Sequence, residues 1–598
     1  MKKFGKENKV YILGITGLST AFHDNSAALT KDGKVIFAAS EERYSRIKHD
    51  KNFPILSIKE ALSFSKISKK DINIIAVGYP NRLFLLPFLG PNLFDLFVIV
   101  LNWIKGRKLL FVLDVLKILY GEIVQNSKAV KARSFLKKKE LVYVSHHQSH
   151  AASAYFTSGY SGCLAVCMDA FGPKLSGQLV SGAVYLCKDS KIGEPLEEIA
   201  VNSSIGLFYT AVTQALGFTP GDGEGKTMGL AAYGNSSKVY VPLSKIAPHF
   251  KFGKWLSSPY WAEMFFSIRK EFRPIFNSLP IGMVLEELIS RSGRENVAAS
   301  AQRILEEEVV KYFRYLVERY KETDLVLAGG LFLNVKMNKS ISEIRGVKGI
   351  YVQPNAGDGG AALGAALQVY SEKYGFTRTP SAVKDVSWGS GFTESKVLKV
   401  LRKYKKKIFF RKYKEIPKIV ARELVAGKVV GWFQGRSEWG PRALGYRSVL
   451  IDPRRMDIKE KLNNTLKNRE WFMPFAPSIL EEYGNDYFLN YKKSPFMTTA
   501  FDVKKKKVKE IQAAIHVDNT ARPNTVSNTA NPFYYKIIKE FYGLTGIPVI
   551  LNTSFNKHGL PIVNSPEDAI NHLLWDCIDE LAIGDYIVTR KDNNVEPK

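Results

Sequence analysis

Short apolar strands that run directly into glycine-rich loops constrain the fold of this chain most. Residues 325–328 are followed by Gly329 and Gly330, and residues 351–352 lead in the same way into the loop 353–360. Such strands alternate with helices in two sets, which predicts an α/β architecture with ligands bound at the carboxyl ends of strands. The same patterns predict strands over 10–15 and 164–168, a hairpin over 26–39, and helices over 57–65, 205–216, 296–320 and 361–370.

Three of the nine histidines lie within residues 146–150. Ser145 is a suitable N-cap and the alanine-rich run that follows favours a helix, so His146 and His150 share one face, about one turn apart. That spacing suits two imidazoles on one metal ion, although a helix can carry such a pair with no ligand. His147 is expected to point elsewhere.

Two aspartates complete a candidate ligand set. Asp169 follows the strand predicted over 164–168, and Asp358 lies in the glycine-rich loop 353–360. Together with His146 and His150 they offer nitrogen and oxygen donors that suit Fe²⁺, Mn²⁺ or Zn²⁺, and the donor set by itself does not choose among these ions.

Two loops suggest a nucleotide ligand. Residues 221–226 read Gly-Asp-Gly-Glu-Gly-Lys, and their backbone amides, with Lys226, could hold a phosphate. The spacing matches neither the Walker A nor the Rossmann pattern. Gly329 and Gly330 would let the backbone approach a flat ligand such as a nucleoside.

Polar residues also lie between the first strand and the hairpin. His23 and Asp24 are placed to point into a cleft, while a structural, hydrogen-bonded histidine is the alternative. The charged stretch 41–48 follows. Beside an anion-binding cleft its Arg43, Arg46 and Lys48 are candidate ligands, and a solvated helix end is the alternative.

Beyond residue 391 the chain is rich in arginine where it is also rich in glycine. Arg436, Arg442 and Arg447 lie among turn-forming residues, and guanidinium groups bind phosphate bidentately, so a small dianion is the expected ligand. The alternative is structural pairing with acids such as Glu438 or Glu470. Further polar candidates in this part of the chain are Arg469, Arg522, Asn552 and Ser554.

A chain of 598 residues is too long for a single core. Its 45% hydrophobic and 24% charged residues are typical of a folded protein. The net charge of +29 favours phosphate-bearing ligands, nucleic acid or an anionic membrane. No aromatic residues alternate with the short lysine runs as a nucleic-acid platform requires, so nucleic acid is not expected. Residues 375–391 are predicted to be an interdomain linker.

The most apolar stretch, 83–104, is interrupted by prolines and polar residues, which argues against a membrane span. With a second apolar run to Tyr120 it predicts a helical insertion over about 83–120, and peripheral membrane contact remains the alternative. No export signal is evident, and the four cysteines form neither a disulfide framework nor a zinc motif. A cytoplasmic protein, in solution or associated with a membrane, is expected.

Taken together, five motifs resemble the O-carbamoyltransferase family, whose members modify nodulation factors and antibiotics. The last motif, Gly-Pro-Arg-Ala-Leu-Gly, is highly specific, and the set covers nearly the whole chain in the expected order. The motifs lie at 22–28, 41–43, 146–152, 328–334 and 440–448.

The resemblance implies two domains and a two-step reaction. An actin-like domain, a duplicated ribonuclease-H-like fold, is expected over 1–380, and an α/β YrdC-like domain over 390–598. Carbamoyl phosphate and ATP, with Mg²⁺, would give carbamoyl-adenylate on the second domain. The first domain would then transfer the carbamoyl group to a hydroxyl of a small-molecule or glycan acceptor. A homodimer is a further possibility.

Residue roles follow from the same resemblance. His23 and Asp24 would activate the acceptor hydroxyl, and Arg442 and Arg447 would act in catalysis. One divalent metal ion would bind at His146, His150, Asp169 and Asp358. Carbamoyl phosphate would bind Arg436, Arg469, Arg522, Asn552 and Ser554, and the nucleotide would bind Lys226, Gly329, Gly330 and Asn334.

One position departs from the family pattern, because Met473 stands where many relatives have arginine. Two other functions remain open at this point: a threonylcarbamoyl-type tRNA modification enzyme, and a non-catalytic nucleotide-binding scaffold.

Overall fold

The computed structural model describes residues 9–16, 24–78, 135–268, 270–378, 380–463 and 470–591. The predicted insertion over about 83–120 lies outside these residues, as do His23 and Arg469. Within the described ranges, no helix combines the length and the apolar character that crossing a membrane would need.

The first sheet combines a hairpin with two parallel strands. Tyr11–Ile15 pairs antiparallel with Ser26–Lys31 and parallel with Ile74–Val77. Lys34–Ser40 and Glu140–Tyr143 form the two edges, so the order in the sheet is third, second, first, fourth and fifth strand of the chain.

The second sheet repeats this topology. Gly162–Pro173 pairs antiparallel with Leu179–Lys188 and parallel with Asp324–Ala328. Lys191–Ala200 and Gly349–Val352 form its edges. The predicted α/β class is confirmed, and the repeated strand order and directions show that this part of the chain is a structural duplication.

Two helices are buried between these sheets. Ala361–Tyr374 packs on the first sheet, with Ala365 and Ala366 against Ile12. His146–Ser158 packs on the second sheet. The helices approach so closely that a Cβ atom on Gly364 would come 1.7 Å from the carbonyl oxygen of Ser149.

Several local predictions are confirmed. Asp32 and Gly33 both have positive φ, 51° and 74°, as in the two-residue hairpin turn that Asp-Gly favours. Ser204 caps the helix predicted over 205–216 by accepting a bond from the Leu207 amide. The helices of this part are Glu42–Ser45, Ile55–Phe64, His146–Ser158, Ile205–Ala215, Glu224–Ala231, Tyr240–Ser244, Trp261–Met264, Arg273–Ser278, Pro280–Ser292, Arg294–Tyr320, Val335–Ser342 and Ala361–Tyr374. A small hairpin pairs His249–Lys251 with Lys254–Leu256.

A third, mixed sheet of eight strands lies within residues 408–590. Its strands, in spatial order, are Ile408–Lys412, Tyr586–Arg590, Glu580–Ile583, Val430–Phe433, Arg447–Ile451, Val549–Ser554, Ala476–Leu480 and Asn524–Val526. Phe501–Asp502 and Thr520–Ala521 form a short separate pair. The helices here are Glu394–Lys403, Ile416–Val425, Met456–Leu462, Gly484–Tyr487, Pro532–Thr545 and Pro566–Leu574.

The two parts of the chain are joined by direct contacts. Arg43 donates through Nη2 to the Gly440 carbonyl at 2.8 Å. Arg46 donates to the carbonyls of Ile562 and Pro561 at 2.7 and 2.9 Å. Arg46 also lies 3.4 Å from Asp568, and the buried Nη1 of Arg43 has no hydrogen-bond partner among the described residues. The anion-binding role expected for these two arginines therefore stays a prediction.

The predicted linker is also part of this packing. Ala38 donates its amide to the Trp388 carbonyl at 3.1 Å, and Trp439 donates to the Val386 carbonyl at 2.8 Å. At Val386 and Trp388 the predicted linker is thus packed, since residues of both parts of the chain bond its backbone.

Candidate metal centre and anion site

Four side chains from three separate elements converge at one buried point. His146 and His150 lie on the helix His146–Ser158, with their Nε2 atoms 3.2 Å apart. Asp169 Oδ2 lies 3.4 Å from each of these nitrogens. Asp358 Oδ1 lies 3.7 Å from His146 Nε2 and 3.8 Å from His150 Nε2. The candidate ligand atoms all lie within 4.8 Å of one another.

Local backbone features place these groups. The strand pairing of Gly162–Pro173 is interrupted between Met168 and Gly172, where Asp169 leaves the regular ladder. Ser145 occupies the N-cap position of the histidine helix but makes no side-chain cap bond; its carbonyl instead accepts from the Ser149 hydroxyl at 3.0 Å. Asp358 opens a short 3₁₀ turn directly after the loop that follows Gly349–Val352.

The electrostatics of this cluster favour a negatively charged Asp169. Burial acts to raise the pKa of Asp169, but the neighbouring histidines outweigh it and hold that pKa well below its ordinary value. Burial acts to lower the pKa of His150, and the carboxylates of Asp169 and Asp358 raise it overall. The His147 ring, 3.7 Å from Asp169, lies nearer the cluster than predicted, and burial lowers its pKa to about 3.

The cluster fits a divalent metal ion. Asp169 Oδ1 accepts the Gly330 amide, while Oδ2 is buried and has no hydrogen-bond partner among the described residues. Buried carboxylate oxygens are normally partnered, so this atom is accounted for if it ligates a cation. Two imidazoles and two carboxylates form a donor set used by iron, manganese and zinc.

Around Asp24, the structure brings together residues that the sequence did not connect. His49 lies between Asp24 and Asp222, with Nδ1 2.8 Å from Asp24 Oδ1 and Nε2 3.1 Å from Asp222 Oδ1. Nothing in the charged stretch 41–48 singled out His49, because its partners are 25 and 173 residues away.

None of the four residues expected to bind the nucleotide lines the nearby cavity directly; Asn334 contacts it through Gln302. Lys226 Nζ lies 3.4 Å from Glu470, and Gly330 touches Asp169 through its amide. Asn334 does not present its amide to a ligand, because it caps the helix Val335–Ser342 and exchanges two bonds with Gln302. Gln302 in turn lines a cavity of about 360 Å³ together with Ala231, Gly234, Ser236, Ala299, Arg303, Glu306, Glu307 and Lys336.

The arginines of the second part divide into two kinds. Arg447 is fully buried and donates to four backbone carbonyls, those of Gln434, Tyr446, Ser390 and Gly435. Arg436 similarly bonds the carbonyls of Gly389, Ile36 and Trp388. Arg436 and Arg447 thus brace the backbone, and the anion-binding and catalytic roles expected for them stay predictions.

Arg442 differs from both. It is half-buried, and among the described residues no side chain or carbonyl bonds it. Burial alone lowers its pKa, to about 10, so it remains a cation near neutral pH. Its loop is held by Glu438, whose Oε1 accepts the amides of Leu444, Tyr446 and Arg447 at 2.9 Å each.

Other predicted residues support or flank this loop. Asn552 donates to the Ala443 carbonyl at 3.1 Å, so it steadies the backbone beside Arg442. Ser554 donates to Asn556 at 2.6 Å, and Arg522 is half-buried. Met473 packs against the helix Glu224–Ala231, 3.2 Å from where a Cβ atom of Gly229 would lie.

Comparison with known proteins adds independent evidence. Family models for the carbamoyltransferase N-terminus and C-terminus match residues 14–367 and 421–590. Nodulation protein NolNO of Sinorhizobium fredii is 32% identical over 97% of this chain and 80% of its own. Uncharacterized protein sll1178 of Synechocystis is 33% identical over 96% of both chains. 3'-Hydroxymethylcephem-O-carbamoyltransferase of Streptomyces clavuligerus is 30% identical over 48% of this chain and 53% of its own.

Solved structures are more distant. HypF from T. kodakarensis, for example, is 14% identical over 63% of this chain and 49% of its own, with a TM-score of 0.32.

The two matched family models cover most of the chain in the order of its two parts. The protein is therefore an enzyme of the O-carbamoyltransferase family.

Proposed function

We propose that this carbamoyltransferase is ATP-dependent and works in two steps on two domains, over about 1–380 and 390–598. The second domain, which we infer to be YrdC-like, would form carbamoyl-adenylate from carbamoyl phosphate and MgATP. The first, actin-like domain would transfer the carbamoyl group to an acceptor hydroxyl. The single observation that carries the first step is Arg442, a half-buried cation with no partner among the described residues.

The chemistry of the first step needs a cation of this kind. Loss of phosphate from carbamoyl phosphate by hydrolysis leaves carbamate, whose oxygen attacks the α-phosphorus of ATP, and pyrophosphate departs. Each species is an anion, and a half-buried guanidinium can bind phosphate oxygens without first giving up protein partners. Arg522 and Arg469 are the further candidates for this site.

Glu438 supports this role of Arg442 indirectly. Three amides on its Oε1 fix the loop that carries Arg442, and Asn552 holds the same loop from the neighbouring strand. A loop fixed in this way keeps the guanidinium in place before substrate arrives, which lowers the cost of binding.

The second step would use the first domain. The cavity of about 360 Å³ beside Gln302 and Lys336 would take the nucleoside of the adenylate. Gly329 and Gly330, which follow the strand Asp324–Ala328, and Lys226, in the first turn of the helix Glu224–Ala231, would face its phosphate. His146, His150, Asp169 and Asp358 would hold the metal ion, for which we favour Fe²⁺. When bound, that ion supplies Lewis-acid stabilisation of phosphate charge.

An acceptor hydroxyl would be activated at the loop that contains His23 and Asp24. Nodulation proteins are among the relatives, and one relative is named for O-carbamoylation of a hydroxymethyl group. A hydroxyl on a sugar-like or natural-product acceptor is therefore the substrate class that we propose.

The test is ATP cleavage by the purified protein, with AMP, ADP and pyrophosphate resolved. We expect pyrophosphate release that depends on carbamoyl phosphate and is lost in Arg442→Ala. The matched control is Arg411→Ala, an exposed arginine on the strand Ile408–Lys412, which should keep wild-type release. Formation of ADP, or release that does not depend on carbamoyl phosphate, would contradict the two-step mechanism.

A further inference from the structure

Three segments of the chain meet at the imidazole of His49. Asp24 follows the first strand, His49 follows the helix Glu42–Ser45, and Asp222 lies in the glycine-rich loop before the helix Glu224–Ala231. The two ring nitrogens lie 2.8 Å from Asp24 and 3.1 Å from Asp222. Lys48 also reaches Asp222, at 2.7 Å. The ring therefore joins the first half of the duplicated fold to the second.

A protonated ring explains this geometry. Because both nitrogens face carboxylate oxygens, both carry protons in the arrangement that satisfies all three groups. Burial acts to lower the pKa of His49, but Asp222 and Asp24 outweigh it and raise that pKa to about 10. His49 is therefore an imidazolium near neutral pH and is unsuited to act as a base.

The neighbouring carboxylate of Glu42 does not make the site around His49 a metal centre. Asp24, Glu42 and His49 have donor atoms close enough to share a cation. However, Glu42 Oε2 accepts the backbone amide of His49 at 3.0 Å, and the ring itself supplies the positive charge between the carboxylates. The local charges are balanced by the protein's own groups.

Asp24 is held in a conformation that needs such support. Its φ is 67°, in the left-handed region that non-glycine residues rarely adopt. Its carbonyl oxygen lies 3.2 Å from where a Cβ atom of Gly359 would be, next to Asp358 of the metal cluster. The position of Asp24 is thus coupled both to His49 and to the loop that carries Asp358.

We propose that His49 is a positioning residue for the acceptor step: its imidazolium fixes Asp24 relative to the glycine-rich loop and to the loop of Asp358. This inference rests on the proposed function. In that step the acceptor oxygen bonds to the carbamoyl carbon, the bond to the adenylate phosphate breaks, and AMP leaves with its electron pair. The hydroxyl proton passes to a base, and the carboxylate of Asp24 is the group that His49 keeps in place for this role.

The first experiment separates the two steps in His49→Gln. Pyrophosphate reports adenylate formation, while AMP and carbamoylated glycerol report transfer, with glycerol at high concentration as the probe acceptor. We expect pyrophosphate release in acceptor-free single turnovers to stay within about twofold of the wild type. Transfer should fall by about tenfold or more, as misplaced groups commonly cause. His49→Lys should recover part of the transfer, because it keeps the charge.

The matched control is His249→Gln. Like His49, His249 is half-buried, and its ring lies 3.1 Å from the carboxylate of Glu308. It is far along the chain from Asp24, His49 and Asp222. It should leave both readouts unchanged. Equal loss of pyrophosphate release and transfer in His49→Gln would show a purely structural role and overturn the proposal, as would no loss of transfer.

A second measurement does not depend on catalysis. In protein labelled with ¹⁵N in the histidine rings, NMR should show both His49 nitrogens protonated up to about pH 9, and Asp222→Asn should lower the midpoint. A His49 ring that titrates near the ordinary value of about 6.5 overturns the proposal. Absence of pyrophosphate in the wild type, with a protonated His49 ring, would instead contradict the proposed function and leave the link from Asp24 to Asp222 supported.

Discussion

Gly172 lies against the imidazole of His146 so closely that a Cβ atom at position 172 would come 2.1 Å from the ring Cδ2 atom. The ring can occupy its place beside Asp169 only because position 172 has no side chain. Gly172 lies three residues after Asp169 on the same strand. This strand therefore provides one candidate ligand, Asp169, and the space that the ring of another, His146, occupies.

We predict that Gly172→Ala displaces the His146 ring and weakens metal binding. The expected loss of affinity is about tenfold or more, the size of effect seen when groups that support a metal ligand are disturbed. Metal content after dialysis, and competition with a chelator, measure it. The control is Gly543→Ala, within the helix Pro532–Thr545, where a Cβ atom would meet no other atom within 4 Å. Wild-type affinity in Gly172→Ala would contradict the predicted contact.

Arg447 should contribute to stability and Arg442 to substrate binding. In Arg447→Met, four hydrogen bonds to backbone carbonyls disappear, and the carbonyls of Tyr446 and Ser390 keep an amide donor. At about 1–3 kcal/mol for each group left unpaired, the loss at Gln434 and Gly435 should lower the free energy of unfolding by about 2 kcal/mol or more. Urea denaturation provides the measurement. Arg442→Met, which loses no such bond, is the comparison and should unfold near the wild-type midpoint. Equal unfolding midpoints for Arg447→Met and Arg442→Met would show that Arg447 contributes no more to stability than Arg442 does.

The cavity beside Gln302 offers a test of nucleotide binding. Ala299 lines it, and Ala299→Leu would fill part of the space that we assign to the nucleoside. We expect AMP to bind about tenfold more weakly by calorimetry, since about 1.4 kcal/mol of lost contact has that effect. Ala426→Leu, at an exposed position, is the control. Unchanged AMP affinity in Ala299→Leu would place the nucleoside elsewhere.

His49 should also affect how stability depends on pH. Its pKa is raised in the folded state to about 10, from about 6.5 in an unfolded chain. The folded state therefore holds the proton more tightly, and this contribution is fully present below about pH 6.5 and is lost as the pH rises towards 10. Urea denaturation between these pH values should show a steeper loss of stability for the wild type than for His49→Gln. Parallel profiles for the two proteins would contradict the raised pKa.

The sequence alone predicted what depends on local geometry. Four-residue spacing on a helix places His146 and His150 on one face whatever surrounds them. Asp169 comes at the end of a predicted apolar strand and Asp358 in the glycine-rich loop after another, and ligands are expected at the carboxyl ends of strands. These regularities, with the alternation of strands and helices, were enough to predict the α/β class and to propose the metal-ligand set.

Only the tertiary structure decided which polar groups are already occupied. Arg436, Arg442 and Arg447 look alike in sequence, yet two bond backbone carbonyls and one has no partner among the described residues. His49 acquires Asp222 as a partner 173 residues away. Such pairings depend on how distant segments pack, and no periodicity along the chain encodes them. Residue types and spacing therefore determined the elements and the candidate chemistry, whereas long-range packing determined which side chains support the fold and which remain available to bind.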